Sequence, residues 1–188
     1  MSQAKSLTPA EIKQILGSIA LGKHASRNRA MFLLTCTGGL RVGEVALLRY
    51  CDVLDDKKKV RQEIRLLPEQ TKGRHARTVF VNERLQKELQ QYANTHPASN
   101  TTDSFFYTQK RSGFTPNTLA QHFFWLYKRA GIEGASSHSG RRTFITTLAS
   151  KGVGVRVLAA LAGHANISTT QAYIDVNDEM MRNAVSLI

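Results

Sequence analysis

Cysteine is scarce in this sequence, which contains two, Cys36 and Cys51, among 188 residues. Two thiols without a clustered set of histidines argue against a zinc finger. Cys36 lies in an apolar run, and Cys51 lies where a helix is expected to give way to a strand. Both are therefore predicted to be reduced, structural residues.

Long apolar runs are missing as well. No run approaches the roughly 20 residues that a membrane-spanning helix needs. The N-terminal stretch MSQAKSLTPAEIKQ lacks the basic-then-apolar pattern of a signal peptide. The expected location is therefore the cytoplasm, with no membrane partner.

Acidic residues are few, since 14 Asp and Glu stand against 26 Lys and Arg, a net charge of +12. An excess this large attracts polyanions, with nucleic acid as the first candidate and an acidic membrane surface as the second. The carboxylates are scattered, so no two-metal site is expected, and neither a metal nor a cofactor is predicted. An apolar fraction of 41% supports one folded domain of ordinary size.

The hydrophobic pattern predicts a mainly helical domain with a small antiparallel β-sheet, an α+β fold. A capping box, Thr8-Pro9-Ala10-Glu11, opens the first helix. Strands are expected for CDVL, VRQEIRLL and ARTVFV, with a basic hairpin tip, PEQTKGRH, between the last two. Further helices are expected for RNRAMFLLTCT, RVGEVALLRY, ERLQKELQQYA, TPNTLAQHFFWLYKRA, SSHSGRRTFITTLASK and VRVLAALA.

Several polar residues stand where a solvated surface charge is the ordinary interpretation. Arg41 follows Gly-Gly-Leu at a helix start, and Glu44 lies one turn on and can reach back to it. His138 and Arg141 are three residues apart and could grip one anion from one helix face. Arg142 competes with Arg141 for that role, and spacing alone leaves the choice open.

The expected hairpin tip carries Lys72 beside Arg74, His75 and Arg77. A solvated hairpin, or one that merely touches phosphates, is the ordinary interpretation. A lysine at this place could also protonate a leaving oxygen, if the site lowers its pKa from about 10.4.

The stretch LAGHANISTTQAYID, residues 161–175, sets His164 and Tyr173 around small polar residues in the outline of a helix–turn–helix. For His164, a structural role is the ordinary interpretation. For the phenol, three interpretations compete: a packed core tyrosine, part of a DNA-reading element, or a covalent nucleophile.

The order of the motifs along the chain favours the functional interpretation of these residues over the ordinary one. GGLRVGEVALLRYCDV, TKGRHARTVFV, HSGRRTFITTL and LAGHANISTTQAY follow one another in an arrangement that resembles the tyrosine recombinases, also called the phage integrase family. The likeness covers nearly the whole chain and implies the fold of their catalytic domain. Glu44 matches the acidic residue that commonly follows the first arginine. The family's catalytic set, matched by motif, is Arg41, Lys72, His138, Arg141, His164 and the nucleophile Tyr173.

The resemblance implies a site-specific DNA recombinase that breaks and rejoins strands through a 3′-phosphotyrosine, without a cofactor, for integration, excision or inversion. Its partner would be double-stranded DNA in the nucleoid, which Arg74, His75, Arg77 and Arg142 would also contact. Monomers in solution that form a tetramer on DNA, with accessory DNA-bending proteins, fit the same activity. The alternative is a catalytically silent DNA-binding regulator that uses the helix–turn–helix.

The sequence departs from the family pattern in two respects. Gly140 stands where leucine is frequent, and because glycine costs about 1 kcal/mol against alanine in a helix, a looser helix start is expected. Most members also carry a separate N-terminal DNA-binding domain, which is absent from residues 1–188. The chain is therefore expected to be a single catalytic domain, either naturally short, like fimbrial-switch invertases or some mobile-element integrases, or cut down from a longer protein.

The tail, from about residue 176 to residue 188, offers an apolar face. It is expected either to dock on a neighbouring protomer, as the resemblance implies, or to pack on its own domain. The apolar residues concerned are Met180, Met181, Val185, Leu187 and Ile188.

Overall fold

The computed structural model describes residues 4–110, 112–174 and 178–186. Over these ranges the chain is mainly helical and carries one two-stranded antiparallel sheet, which confirms the predicted fold class. The helices are α1 (Pro9–Ala20), α2 (Ala25–Cys36), α3 (Val42–Ala46), α4 (Tyr50–Val53), α5 (Glu83–Thr95), α6 (Pro116–Arg129), α7 (Ser139–Ser150), α8 (Val155–Ala162), α9 (Ile167–Gln171) and α10 (Asp178–Val185). The strands are β1 (Glu63–Leu66) and β2 (Arg77–Phe80).

Side-chain caps set the starts of several helices. The predicted capping box of α1 is present: Glu11 N–H donates to Thr8 Oγ1 at 3.2 Å, and Thr8 N–H donates to Glu11 Oε2 at 2.9 Å. Asn82 caps α5 and Thr115 caps α6 by the same kind of contact. These starts follow from the local sequence.

The region after Arg41 differs from its prediction in two ways. The helix expected for residues 41–50 ends at Ala46, and the strand expected for CDVL is wrong because α4 covers Tyr50–Val53. The physical reason is a cap at the start of α4, where Asp52 Oδ2 accepts the Arg49 N–H at 2.8 Å. Cys51 therefore lies on a short helix, where its thiol is free and exposed, whereas the free thiol of Cys36 is buried.

The sheet forms where two of the three strands were predicted. In its register Ile64 pairs with Val79 and Leu66 pairs with Arg77. A 3₁₀ turn, Pro68–Gln70, follows β1, and a loop then leads into β2. This loop carries the predicted basic tip, and residues 72–76 in it are exposed.

Helix α2 is the centre of the core. Every residue from Ala30 to Cys36 is buried, and α1, α5 and α7 pack around the helix. Its last turn leads straight into Gly38 and Gly39, so the position of the following residues is fixed by packing in the core.

Gly140 lies at the closest approach of α7 to α2. A Cβ built at this position would lie 2.1 Å from Thr35 Oγ1 and 2.8 Å from Thr35 Cβ. The expectation of a looser helix start is therefore wrong: both Gly140 and Thr35 are buried, and the glycine allows two helices to meet tightly.

None of the helices in the described ranges is long and apolar enough to cross a lipid bilayer. In the tail, α10 exposes Met181 and Val185. The side chain of Met180 and all of Leu187 and Ile188 lie outside the described residues, so the docking of the tail stays a prediction.

We predict that Gly140→Ala lowers the free energy of unfolding by about 1–3 kcal/mol, the usual cost of overpacking a core contact. Urea denaturation of the variant measures this directly. Adding Thr35→Ala removes the nearer of the two clashing atoms and should restore part of the loss. A variant as stable as the wild type would contradict the close contact.

Candidate active site

Arg41 is placed by the turn that ends α2. Gly39 has a φ of +68°, a conformation that favours glycine, and a Cβ there would lie 2.6 Å from the ring of Phe144. Arg41 is the N-cap of α3, and its N–H and its Nη1 donate to the two carboxylate oxygens of Glu44, each at 2.8 Å. The guanidinium is thus held at the helix start while its side chain remains 27% exposed.

Glu44 is a buried carboxylate with a side chain 2% exposed. Besides Arg41, it accepts a bond from Arg77 Nη2 at 2.6 Å. Burial alone would raise the pKa of Glu44, but the hydrogen bonds and charges of the two arginines outweigh burial and lower it. Glu44 is therefore ionised at neutral pH and tethers two guanidinium groups.

Arg141 enters the same region from α7. It is buried, and its Nη1 donates to the Gly39 carbonyl at 2.7 Å while its Nη2 donates to the Ala162 carbonyl. Burial, followed by the charge of Arg41, lowers the pKa of Arg141 to about 9. That value remains above neutral pH, so the group keeps its positive charge.

His138 lies at the N-cap of α7 and lines an open pocket of about 450 Å³ together with Arg41 and Lys72. Burial, then the charges of Lys72 and Arg141, lower its pKa, so the ring is neutral at pH 7. Two larger pockets, of about 670 and 610 Å³, contain none of the six motif residues.

The predicted basic tip divides into two parts. Lys72, Arg74 and His75 are exposed in the loop between the 3₁₀ turn and β2. Arg77 does not lie with them: its side chain is 8% exposed and is paired with Glu44. Its predicted contact with DNA is therefore not favoured by its position.

The stretch 161–175 begins at the end of α8, turns at Gly163, whose φ is +62°, and continues into α9. His164 follows the glycine, and its Nδ1 lies 2.8 Å from Thr170 Oγ1. Burial, followed by the charges of Arg141 and Arg41, lowers the pKa of His164 to about 4, so this ring is neutral too.

Tyr173 follows the end of α9 and is partly buried. Its ring stacks on His164, with centroids 5.9 Å apart and an interplanar angle of 18°. The guanidinium carbon of Arg142 lies 5.1 Å from the centre of the same ring. Because the Tyr173 ring stacks on His164, which lies two residues after the Ala162 carbonyl that Arg141 contacts, the phenol lies close to this part of the site within a single chain.

The positions of the motif residues therefore converge, although they are spread over 133 residues of sequence. The profile of the phage integrase family matches residues 5–180. This chain belongs to the phage integrase family.

Curated members of the family align with most of this chain. The tyrosine recombinase XerC of Caldanaerobacter subterraneus subsp. tengcongensis is 32% identical over 96% of the chain and 50% of its own length. XerA of Pyrococcus horikoshii is 29% identical over 98% of the chain and 61% of its own length. The chain thus spans half to about three-fifths of the length of these relatives.

Solved structures of the family share the fold. The crystal structure of XerA recombinase superposes with a TM-score of 0.78 at 26% identity, over 100% of this chain and 66% of that one. The Tn1549 transposon integrase, solved with transposon right-end DNA, gives 0.76 at 20% identity, over 100% of this chain and 67% of that one. The fold is that of a tyrosine recombinase catalytic domain.

Sequence reasoning about this integrase-family chain missed the role of Arg77. The signal was available in the strand alternation, because Arg77 shares its face with Val79 and Val81, which are buried. It also missed Thr170, a buried hydroxyl that contacts His164. That contact depends on how α9 folds back and has no local sequence pattern.

The depressed pKa of His164 predicts acid sensitivity. As the pH falls from about 6.5 to 4, the unfolded chain binds a proton at this histidine while the folded chain does not. The free energy of unfolding should therefore decrease over that window by roughly 1–3 kcal/mol from this group. Urea titrations at several pH values should show a smaller decrease for His164→Gln. An equal decrease in that variant would contradict a neutral, partly buried ring at His164.

Proposed function

We propose that this protein is a site-specific DNA recombinase that cuts and rejoins DNA through a covalent 3′-phosphotyrosine. The observation that carries the proposal is that Arg141 contacts the Gly39 carbonyl, two residues before Arg41, and the Ala162 carbonyl, two residues before His164, on whose ring Tyr173 stacks. Two guanidinium groups beside a phenol suit a phosphodiester, which is anionic and has a poor leaving group.

Arg41 and Arg141 would hold the two non-bridging oxygens of the scissile phosphate. Attack places additional charge on these oxygens, so fixed guanidinium groups stabilise the transition state more than the ground state. Arg141 fits this role because it is buried and because hydrogen bonds to two backbone carbonyls fix the direction of its guanidinium group. His164, neutral and braced by Thr170, would add a hydrogen bond to the phosphate.

Tyr173 would be the nucleophile. Its oxygen forms a bond to phosphorus, the bond from phosphorus to the 5′ oxygen breaks, and the DNA end is left as a 5′-hydroxyl. The phenol's proton would pass to His138, which is neutral at pH 7 and can accept it. The covalent intermediate conserves the phosphodiester bond energy, so a second 5′-hydroxyl can reverse the step and complete strand exchange.

Lys72 would supply the proton that the departing 5′ oxygen needs. It lies on an exposed loop at the rim of the pocket that also holds Arg41 and His138. A duplex that docks on this loop would place its leaving 5′ oxygen within reach of the ammonium group.

Double-stranded DNA is the proposed partner. The net charge of +12 attracts it, and the exposed Arg74 and His75 extend the positive surface beyond the pocket. Contacts of this kind hold phosphates and carry no sequence information, so they orient the duplex and do not select a site. Arg142, next to the nucleophile, would contact the DNA close to the cleavage point.

Recombination needs more than one active site, so we also propose assembly into a tetramer on DNA. Apolar residues Met181 and Val185 on α10 are exposed in the single chain and are suited to contact a second protomer. Accessory DNA-bending proteins and a place in the nucleoid belong to the same proposal.

Tyr173→Phe should abolish covalent attachment to DNA while leaving DNA binding within about twofold, because the ring is kept and only the nucleophilic oxygen is lost. Sequencing the DNA attached to the wild-type protein in cells gives the cleavage site. A nicked duplex that carries this site then traps the adduct in vitro. An adduct in the variant equal to the wild type would eliminate Tyr173 as nucleophile, and a wild type that binds DNA without any adduct would favour the silent regulator.

Lys72→Ala should slow cleavage of an ordinary duplex by about 100- to 10,000-fold, the usual contribution of a positioned general acid. Replacement of the 5′ bridging oxygen with sulfur should remove most of this defect, since a thiolate leaves without being protonated. Lys87→Ala, an exposed lysine on α5, provides the matched control. An unchanged defect on the sulfur substrate would argue against Lys72 as the proton donor.

A further inference from the structure

Arg77 joins three separate parts of the candidate active site. From β2 its Nη2 donates to Glu44 Oε2 at 2.6 Å, and its Nη1 donates to the Leu161 carbonyl, at the end of α8, at 2.9 Å. A longer contact of 3.5 Å runs from Nη2 to the Gly39 carbonyl, in the turn after α2. One guanidinium thus contacts the turn before Arg41, the helix that carries Glu44 and the helix that precedes His164.

The acceptors of Arg77 are shared with the two phosphate-binding arginines. Glu44 also accepts from Arg41, and the Gly39 carbonyl also accepts from Arg141 at 2.7 Å. Leu161 directly precedes Ala162, whose carbonyl is the second acceptor of Arg141. Any movement of Arg77 therefore changes the supports of both Arg41 and Arg141.

The packing around the Arg77 stem is close. A Cβ built on Gly163 would lie 2.4 Å from Arg77 Cδ, so the end of α8 approaches the stem as nearly as a glycine permits. Since His164 follows this glycine, the same contact sets where the histidine begins. Arg77 also stands five residues after Lys72, so it ties the lysine loop to these elements.

Charge gives a second, independent reason why an arginine at position 77 would support the site. Glu44 carries one negative charge, and Arg41 alone would be neutralised by it. With Arg77 on the same carboxylate, the trio keeps a net positive charge. Arg41 can then hold Glu44 for orientation and still attract a phosphate.

We propose that Arg77 is a positioning residue for phosphodiester cleavage: it fixes Arg41 and Arg141 at the separation that one phosphate requires and offsets the charge of Glu44. The proposal rests on the recombinase function proposed above. It replaces the earlier expectation that Arg77 contacts DNA, since its side chain is 8% exposed and fully engaged by the protein.

The test is single-turnover cleavage of the nicked duplex described above by Arg77→Met and Arg77→Lys. We expect Arg77→Met to lower the rate constant of adduct formation by roughly 10- to 100-fold, the scale associated with misplaced catalytic groups. Arg77→Lys keeps the charge and loses the fork, so it should recover part of the rate. DNA affinity, measured separately, should change by less than about threefold, because Arg77 does not touch the duplex.

Two comparisons separate positioning from a general loss of structure. A fold defect reduces the amplitude of the adduct and leaves the rate constant of the remaining active protein unchanged, and that result would overturn the proposal. Adding Arg77→Met to Arg41→Ala should cost less than it does in the wild type, because one of the two arginines that it positions is already gone. Full additivity of the two effects would equally overturn it.

The matched control is Arg65→Met, the same change at an exposed arginine on the neighbouring strand, which should leave the rate unchanged. If Arg77→Met does not fold, Arg77→Lys carries the decision, and a wild-type rate constant in that variant would contradict the proposal. Failure of the recombinase function itself is distinct, because it would appear as no adduct at Tyr173 in the wild-type protein.

Discussion

The structure depends on one buried carboxylate. Glu44 has almost no contact with water and can remain ionised there because two guanidinium groups and a backbone N–H surround it. Its partners come from α3 and from β2, so the ion pairs connect the helical core to the hairpin. Removal of this charge would leave Arg41 and Arg77 without their shared acceptor and would weaken the connection between the hairpin and the site.

The packing of the core helices sets the geometry of the site. Helix α2 is buried along its second half, and its C-terminal turn presents the Gly39 carbonyl to Arg141. Gly140 allows α7 to approach α2 closely enough for that bond to form. Two arginines that are a hundred residues apart in sequence are thus brought to the same region because two helices touch at a glycine. Burial, followed by the positive charges of the site, depresses the pKa of His138 and His164.

Much of this arrangement was predictable from sequence. The helix starts at Thr8, Asn82 and Thr115 carry their caps in neighbouring residues, and the order of the motifs identified the family. The expected strand at CDVL was wrong because the tertiary position of Asp52, which also accepts a bond from Gln70, outweighs a short apolar run. The effect of Gly140 was predicted wrongly because Thr35, the residue that requires a glycine there, lies on another helix. The inward position of Arg77 could be derived from strand alternation, whereas its partners could be known only after the chain had folded.

The most direct measurement is a structure of Tyr173→Phe bound to a duplex that contains the cleavage site. The guanidinium groups of Arg41 and Arg141 should both lie about 2.7–3.0 Å from non-bridging oxygens of the same phosphate, with the ring at position 173 next to the phosphorus. A phosphate held by only one of the two arginines, or a ring that cannot approach it from its own or an adjacent subunit, would contradict the account.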